Sequence, residues 1–413
     1  MPDSFPQLRH LNVQWTQWEG RPMISLQDPL RLGANGILVP QVMAPILPLC
    51  DGTRSLNDLR TTFLLRTGIN LGADQVESLI QALDEASMLN NQHFSQVLDE
   101  AMEVYRSGPY RPPALAGNGY PQDTVELGES MDDYIQKAAC GVPGGDGLED
   151  VLSGDQVVGL ISPHIDYRRG WRTYAQIWSQ MAPAVQEAEL VMILGTDHSG
   201  FPGSLNLTRQ SYGTPWGGLP TDTVLVDRLA EILGEDMAFS QESHHIGEHS
   251  IELASVWLHY VNGGEPKTVL PVLCGGPEPF LEAATRESSQ AWQAMELLKD
   301  VAASKSTLVV AAADISHIGP TFGDPAPIDA AGKARVYASD QQWLDAACSG
   351  NSDSLRSHML EHGDPTRICG AAPIFLMTFI LGKAQGRVVH YDQCPADCDF
   401  SSLVSIAGAV YTR

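Results

Sequence analysis

No apolar run in the chain approaches the roughly 20 residues that a membrane-spanning helix requires. The first residues, Met1-Pro2-Asp3-Ser4-Phe5, lack the basic segment and apolar core of a secretory leader, so a cytoplasmic location is expected. Basic residues are scarce as well. Against 50 Asp and Glu there are 25 Lys and Arg, a formal net charge of −25 over 413 residues. A balance this acidic repels phosphate backbones and anionic lipid heads, which argues against nucleic acid and membrane surfaces as partners. Cysteine is too sparse for a disulfide framework, with seven in the whole chain. Cys50, Cys140, Cys274 and Cys348 have no metal-like spacing and read as buried small hydrophobes or surface thiols. The stretch Cys394-Pro-Ala-Asp-Cys398 has a spacing that could clasp zinc, but no second ligand pair stands nearby, so a loop with two thiols is the preferred reading.

Length implies two domains, and composition places the boundary between about residues 105 and 120. There the stretch Ser107-Gly-Pro-Tyr-Arg-Pro-Pro-Ala-Leu-Ala-Gly117 fixes turns and extended backbone and stops a helix from continuing. Residues 1–105 read as a small winged-helix-like domain, 106–122 as linker and start of the second domain, and 111–413 as the larger domain. In the first, Ser55-x-x-Asp58 marks a helix N-terminus. Helices are expected near 55–66 and 73–87, the second with Val76, Leu79, Ile80 and Leu83 on one apolar face. Short strands are expected at 24–29 and 36–39. The segment 73–85 has four acidic residues and no Lys or Arg, so it would meet DNA with the wrong sign. The pattern Asp51-Gly-Thr-Arg-Ser-Leu followed by Leu83-Asp-Glu-Ala-Ser-Met-Leu89 resembles the PqqD-type peptide-chaperone domains, which implies docking of a peptide.

Beyond the linker, Val157–Ile161, Leu190–Leu194, Thr268–Leu273, Leu308–Ala312 and Val388–Tyr391 are short continuous apolar runs, the pattern of strands covered on both faces. Leu403–Tyr411 reads as one more strand. Helices are expected at Trp171–Met181, Thr223–Leu233, Ile251–Tyr260, Glu282–Ala303 and Pro373–Lys383. The fold class is therefore α/β, a mixed central sheet with helices on both faces.

Several metal-capable or acid–base side chains follow those runs. His164 comes after a strand through Ser162-Pro163, and His198 repeats the arrangement through Gly195-Thr196-Asp197. Ligands at strand ends converge on one crevice in open α/β sheets. Cys369 stands just before an expected helix N-terminus, where the dipole favours the thiolate that binds metal. Two imidazoles and a thiolate leave coordination positions open, the mark of a reactive site. Asp314 and His317, three residues apart, suit acid–base work, with the carboxylate orienting the imidazole. His249 and Glu252 share that spacing at the start of a helix and would point into the same crevice. Glu248 and Ser250 read as caps of that helix, and His244 and His245 as a solvated pair.

From about 111 to 413 these residues resemble the Memo family, called AmmeMemoRadiSam system protein B in prokaryotes. Arg111-Pro-Pro-Ala-Leu-Ala-Gly matches its opening. Pro163-His164, Gly195-x-x-His198, Thr214-Pro-Trp-Gly-Gly-Leu219, Glu248-His249-Ser-Ile-Glu252, Asp314-x-Ser-His317 and Cys369-Gly370 match later motifs in order. The resemblance implies a fold similar to the class III extradiol-type dioxygenases and a metal held by His164, His198 and Cys369, with Asp314 and His317 close by. It departs at Ile165-Asp166, where animal members carry Ala-Gly, at Ile318-Gly319 after His317, where Tyr is usual, and at Gly247, which replaces an Asp. These changes spare the ligands and touch the substrate pocket. The N-terminal extension is not part of the minimal family.

The expected function is a metal-dependent redox enzyme using Fe(II) or copper on a small organic or peptide-linked substrate, with His317 shuttling a proton. A zinc hydrolase on the same ligands, with His317 or Glu252 as base, is one alternative. A peptide- or protein-binding module without turnover is another. The family's name implies a radical-enzyme partner.

Overall fold

The computed structural model describes residues 5–30, 32, 36–140, 156–282 and 289–413. It divides into two compact units, Met1–Gly108 and Pro109–Arg413.

The smaller unit opens with an antiparallel sheet of β1 (Asn12–Trp18), β2 (Arg21–Gln27) and β3 (Ile37–Pro40) in that spatial order. A two-residue turn, Glu19-Gly20, joins β1 to β2, and both residues have positive φ as such hairpins demand. A 3-10 segment, Gln41–Leu49, leads to helices Leu56–Thr67, Ala73–Glu85 and Gln92–Ser107. Ser55 and Asp58 close a reciprocal capping box at the first, as the sequence predicts. Val76, Leu79, Ile80 and Leu83 all turn inward, against Ile24, Leu26, Val39, Leu59 and Phe63. Strand β1 and the helix Gln92–Ser107 were not predicted. Every residue of β1 is exposed, and only Met102 and Tyr105 of that helix are buried, so neither carries a strong buried pattern.

The larger unit is built on a mixed sheet in the order β11-β13-β4-β10-β5-β9-β6, with β12 added on β13. Its strands are β4 (Val157–Ser162), β5 (Leu190–Thr196), β6 (Leu205–Leu207), β9 (Val269–Cys274), β10 (Thr307–Ala312), β11 (His317–Ile318), β12 (Gln385–Pro395) and β13 (Leu403–Thr412). A small hairpin of β7 (Tyr212–Thr214) and β8 (Gly217–Leu219) lies outside it. Strands β4, β10, β5 and β9 run parallel, whereas β13 pairs antiparallel to β4 and β6 to β9.

Side-chain alternation explains why these strands read as unbroken apolar runs. Leu190, Met192 and Leu194 of β5 enter one core with helices Thr223–Leu233, Gln290–Ser304 and Ala371–Leu381. Val191 and Ile193 enter the opposite core with helices Tyr167–Trp178 and Ser250–Val261. A central strand therefore needs apolar residues at every position. The helix Ala371–Leu381 is buried along its whole length and is apolar except for Thr378, whose hydroxyl donates to the Phe375 carbonyl. No helix among the described residues is long and apolar enough to cross a membrane.

Candidate metal centre

Three parallel strands end side by side, and two residues past the end of each stands a site residue: His164 after β4, His198 after β5, Asp314 after β10. This shared offset brings them to one crevice at the carboxyl edge of the sheet. Cys369 joins them from the turn before helix Ala371–Leu381. That turn comes close because Gly370 has no side chain: a Cβ there would lie 2.5 Å from the Asp314 carbonyl oxygen and from Ala313 Cβ. The Gly370 amide donates to that same carbonyl at 3.0 Å. Gly195 plays the matching part on β5, since a Cβ would meet Ile251 and Ser250 at the start of helix Ser250–Val261. Its absence lets that helix, and His249 just before it, approach the crevice.

His164 is buried and held by main chain. Its Nδ1 lies 3.0 Å from the Ala312 carbonyl, which fixes the hydrogen there and leaves Nε2 facing Cys369 Sγ at 3.3 Å. Asp314 accepts the His164 and Ile165 amides, at 2.8 and 3.3 Å. His198 sits at the mouth, with its side chain 38 % exposed, and its Nδ1 lies 2.9 Å from Glu248 Oε2. The other oxygen of Glu248 takes the amides of His249 and Ser250 and lies 3.2 Å from His249 Nδ1. The three imidazoles crowd together: His249 stacks on His198 with centroids 5.3 Å apart and stands edge-on to His164 at 5.6 Å.

One ligand atom each from His164, His198 and Cys369 falls within 4.8 Å of the others, and the same holds for His198, Glu248 and His249. Charges are arranged to suit. Burial alone would raise the Cys369 thiol, but the His164 imidazole, with a further hydrogen bond from His198, brings it down to about 5. Burial would lower His164, yet Asp314 and Cys369 lift it to about 9. His198 is likewise lifted, against burial, by Glu248 and Cys369. Burial opposes ionisation of Glu248 too, and the two imidazoles beside it hold its carboxyl well below the usual range. The result is a thiolate among imidazoles, a set of donors that fits a borderline or soft metal ion.

Other predicted residues fall differently. Residues 313–316 lie outside any helix, so Asp314 and His317 do not share a helical turn, and the Asp314 carboxylate is spent on the His164 segment. His317 is instead held at Nδ1 by the carbonyls of Ile315 and Arg367, each at 3.1 Å, and its ring stands edge-on to Phe322. It is close enough to Cys369 for its charge to favour the thiolate. Glu252 does not point into the crevice with His249. His249 precedes the helix as its N-cap, so the expected common face is absent, and Glu252 is fully buried against Arg111, the Tyr120 hydroxyl and the amides of Ala114 and Leu115. His244 and His245 are not a solvated pair. His245 is buried between the Tyr212 hydroxyl and the Asn206 carbonyl, and His244 meets the Asp197 carboxylate. Cys394 is buried, with its thiol 3.5 Å from the Arg169 carbonyl, and Cys398 is exposed. Neither belongs to a metal-capable group among the described residues.

The sequence presents Glu248 only as a helix cap. It does cap, through the His249 and Ser250 amides, but it also anchors two imidazoles. Its place directly before His249 was the available signal.

A family model described as Memo-like protein matches residues 111–410. A MEMO1 family protein of Aquifex aeolicus is 25% identical over 94% of this chain and 95% of its own length. Another, of Thermus thermophilus, is 25% identical over 82% of this chain and 93% of its own. One of Methanosarcina acetivorans is 24% identical over 73% of this chain and 98% of its own. With sequence motifs, crevice and family model agreeing over the larger unit, the chain belongs to the Memo-like protein family.

Proposed function

We propose that the chain is a metal-dependent redox enzyme in which one ion, iron(II) or copper, is held by His164, His198 and Cys369 and acts on a small organic or peptide-linked substrate. The observation that carries this reading is the donor set: two imidazoles oriented by hydrogen bonds at Nδ1 and a thiolate within reach of both. Thiolate and imidazole select iron, copper or zinc over magnesium or calcium, and three protein ligands leave room for substrate. Such an ion supplies Lewis acidity and, when it is iron or copper, electron exchange. The chain's own residues supply the rest. Glu248 holds His198 and His249 in register, and His249, beside both ligand imidazoles, is placed to hold or pass a proton. His317, with its hydrogen fixed at Nδ1, keeps Nε2 as its basic nitrogen.

The same donors suit zinc, which would make the chain a hydrolase. His249 or His317 would then be the base, because Glu252 is committed to Arg111. Metal analysis of aerobically and anaerobically purified protein separates these readings. Iron or copper near one per chain, lost in His164→Ala/Cys369→Ala, supports the redox enzyme. Zinc would replace it with the hydrolase, and a metal-free protein would sink both in favour of a binding module.

We extend the proposal to a cytoplasmic protein whose larger unit is of the extradiol-dioxygenase type and works in the AmmeMemoRadiSam system. The crevice at the carboxyl ends of parallel strands supports that likeness, although dioxygenase activity does not travel with a fold. For the smaller unit we propose a PqqD-like or winged-helix-like module that docks a peptide or radical-enzyme partner. The exposed Trp15 and Trp18 on β1 support it.

A further inference from the structure

We propose that Arg111 is a positioning residue for the metal centre, acting through Glu248 on His198 and His249. The inference rests on the metal-centre reading above and deepens it.

Arg111 is fully buried, and its guanidinium forks across three acceptors. Nε donates to the His245 carbonyl at 2.6 Å, one terminal nitrogen to the Glu248 carbonyl at 2.7 Å, and the other to the Glu252 carboxylate. These belong to three successive pieces of one wall: the short helix His244–Gly247, the joint at Glu248, and the helix Ser250–Val261. A planar five-donor fork can tie all three at once, and a lysine ammonium on its flexible stem cannot.

The arginine is itself anchored. Its amide donates to the Ser211 carbonyl at 2.8 Å, and its carbonyl accepts from the Gly213 amide at 2.9 Å. The guanidinium lies 5.1 Å from the Tyr212 ring centroid, and the hydroxyl of that ring bonds His245. On the far side, Glu252 also takes the Tyr120 hydroxyl and two amides, so its carboxylate has four donors in all.

The path to the site is short. Arg111 fixes the main chain of Glu248, and the Glu248 carboxylate engages Nδ1 of both His198 and His249, leaving Nε2 of each for a ligand or a proton. Partners that orient a ligand's second nitrogen typically matter about 10–100-fold in metal affinity. Arg111 sits one step behind such a partner.

The test titrates the full-length chain with Co(II), reading affinity by competition and geometry by the visible absorption of the bound ion. Variants are Arg111→Lys, the paired apolar swap Arg111→Met/Glu252→Leu, which leaves no buried charge unpaired, and Glu248→Gln. Hydrogen exchange of the His249 and Ser250 amides is followed without metal. We expect Arg111→Lys and the swap to weaken Co(II) binding about tenfold, to alter the absorption bands and to speed exchange at both amides. In a Glu248→Gln background the same changes at Arg111 should have little further effect, because the route through the carboxylate is already cut. A folded Arg111→Lys or swap variant with wild-type affinity and exchange would overturn the inference, as would an undiminished loss in the Glu248→Gln background. If His164→Ala/Cys369→Ala binds Co(II) like the wild type, the metal reading fails by itself. Exchange at His249 and Ser250 then decides alone whether Arg111 positions the wall.

Discussion

His164 and His198 stand at the same offset past neighbouring strands, yet the two walls of the crevice secure them in different ways. On the strand wall, His164 is buried and its Nδ1 is fixed by a backbone carbonyl of β10. On the loop wall, His198 is half open to solvent and depends on one carboxylate, Glu248, which also carries His249. A main-chain partner survives any single substitution, whereas a side-chain partner does not. The strand wall is therefore the fixed side of the site. The loop wall is where substitutions tune it, and the buried Arg111–Glu252 pair stands behind that loop.

The largest effect should come from breaking the support of the loop wall. Glu252→Leu alone leaves Arg111 buried and unpaired and should cost about 3–5 kcal/mol in denaturant unfolding. The paired swap Arg111→Met/Glu252→Leu should recover only the part due to the unpaired guanidinium, because the Tyr120 hydroxyl and the Ala114 and Leu115 amides still lack their acceptor; a swap no more stable than Glu252→Leu would remove the ion pair from the account. Next, Glu248→Gln should lower metal affinity about 10–100-fold. Asp314→Asn, whose remaining carbonyl oxygen can still accept the His164 amide, should do much less. A reversed order would erase the distinction between the walls.

A smaller, graded effect is expected with pH. A metal ion takes neutral imidazoles and a thiolate, and in the metal-free protein His164 keeps its proton up to about pH 9 while Cys369 loses its proton above about 5. Between pH 6 and 8 the thiolate is already formed, and loading must expel protons from His164 and from His198, which Glu248 and Cys369 also lift. Affinity should thus rise about tenfold per pH unit for each proton displaced, with the His164 contribution levelling off above about pH 9. Competition titrations would show it, and a flat profile would contradict the charge arrangement. The smallest effect is expected at the Cys394–Cys398 loop, where Cys398→Ser should leave metal content unchanged.

How legible each part was follows from the range of its interactions. The central strands show in the sequence because both faces are buried, so burial is written into every consecutive residue. Helices Thr124–Cys140, Ala330–Cys348 and Ser352–His362 leave a weak signal in the sequence because each buries only a minority of its residues. Strands β6, β7 and β8 are three residues long and carry no period at all. In the site, His164, His198 and Cys369 were legible because each follows a strand or precedes a helix. The fate of Glu252 was not. Its partner Arg111 lies 141 residues away, and nothing local separates a carboxylate aimed at a crevice from one aimed at a distant guanidinium. His245 is the same case, its partners being Tyr212 and Asn206.

The most direct test of the central claim is X-ray absorption at the edge of whichever metal copurifies, on wild type and Cys369→Ser. A single ion on His164, His198 and Cys369 predicts one sulfur scatterer at about 2.3 Å beside imidazole nitrogens, with the sulfur lost in the variant. A nitrogen- and oxygen-only shell that Cys369→Ser leaves unchanged would contradict it.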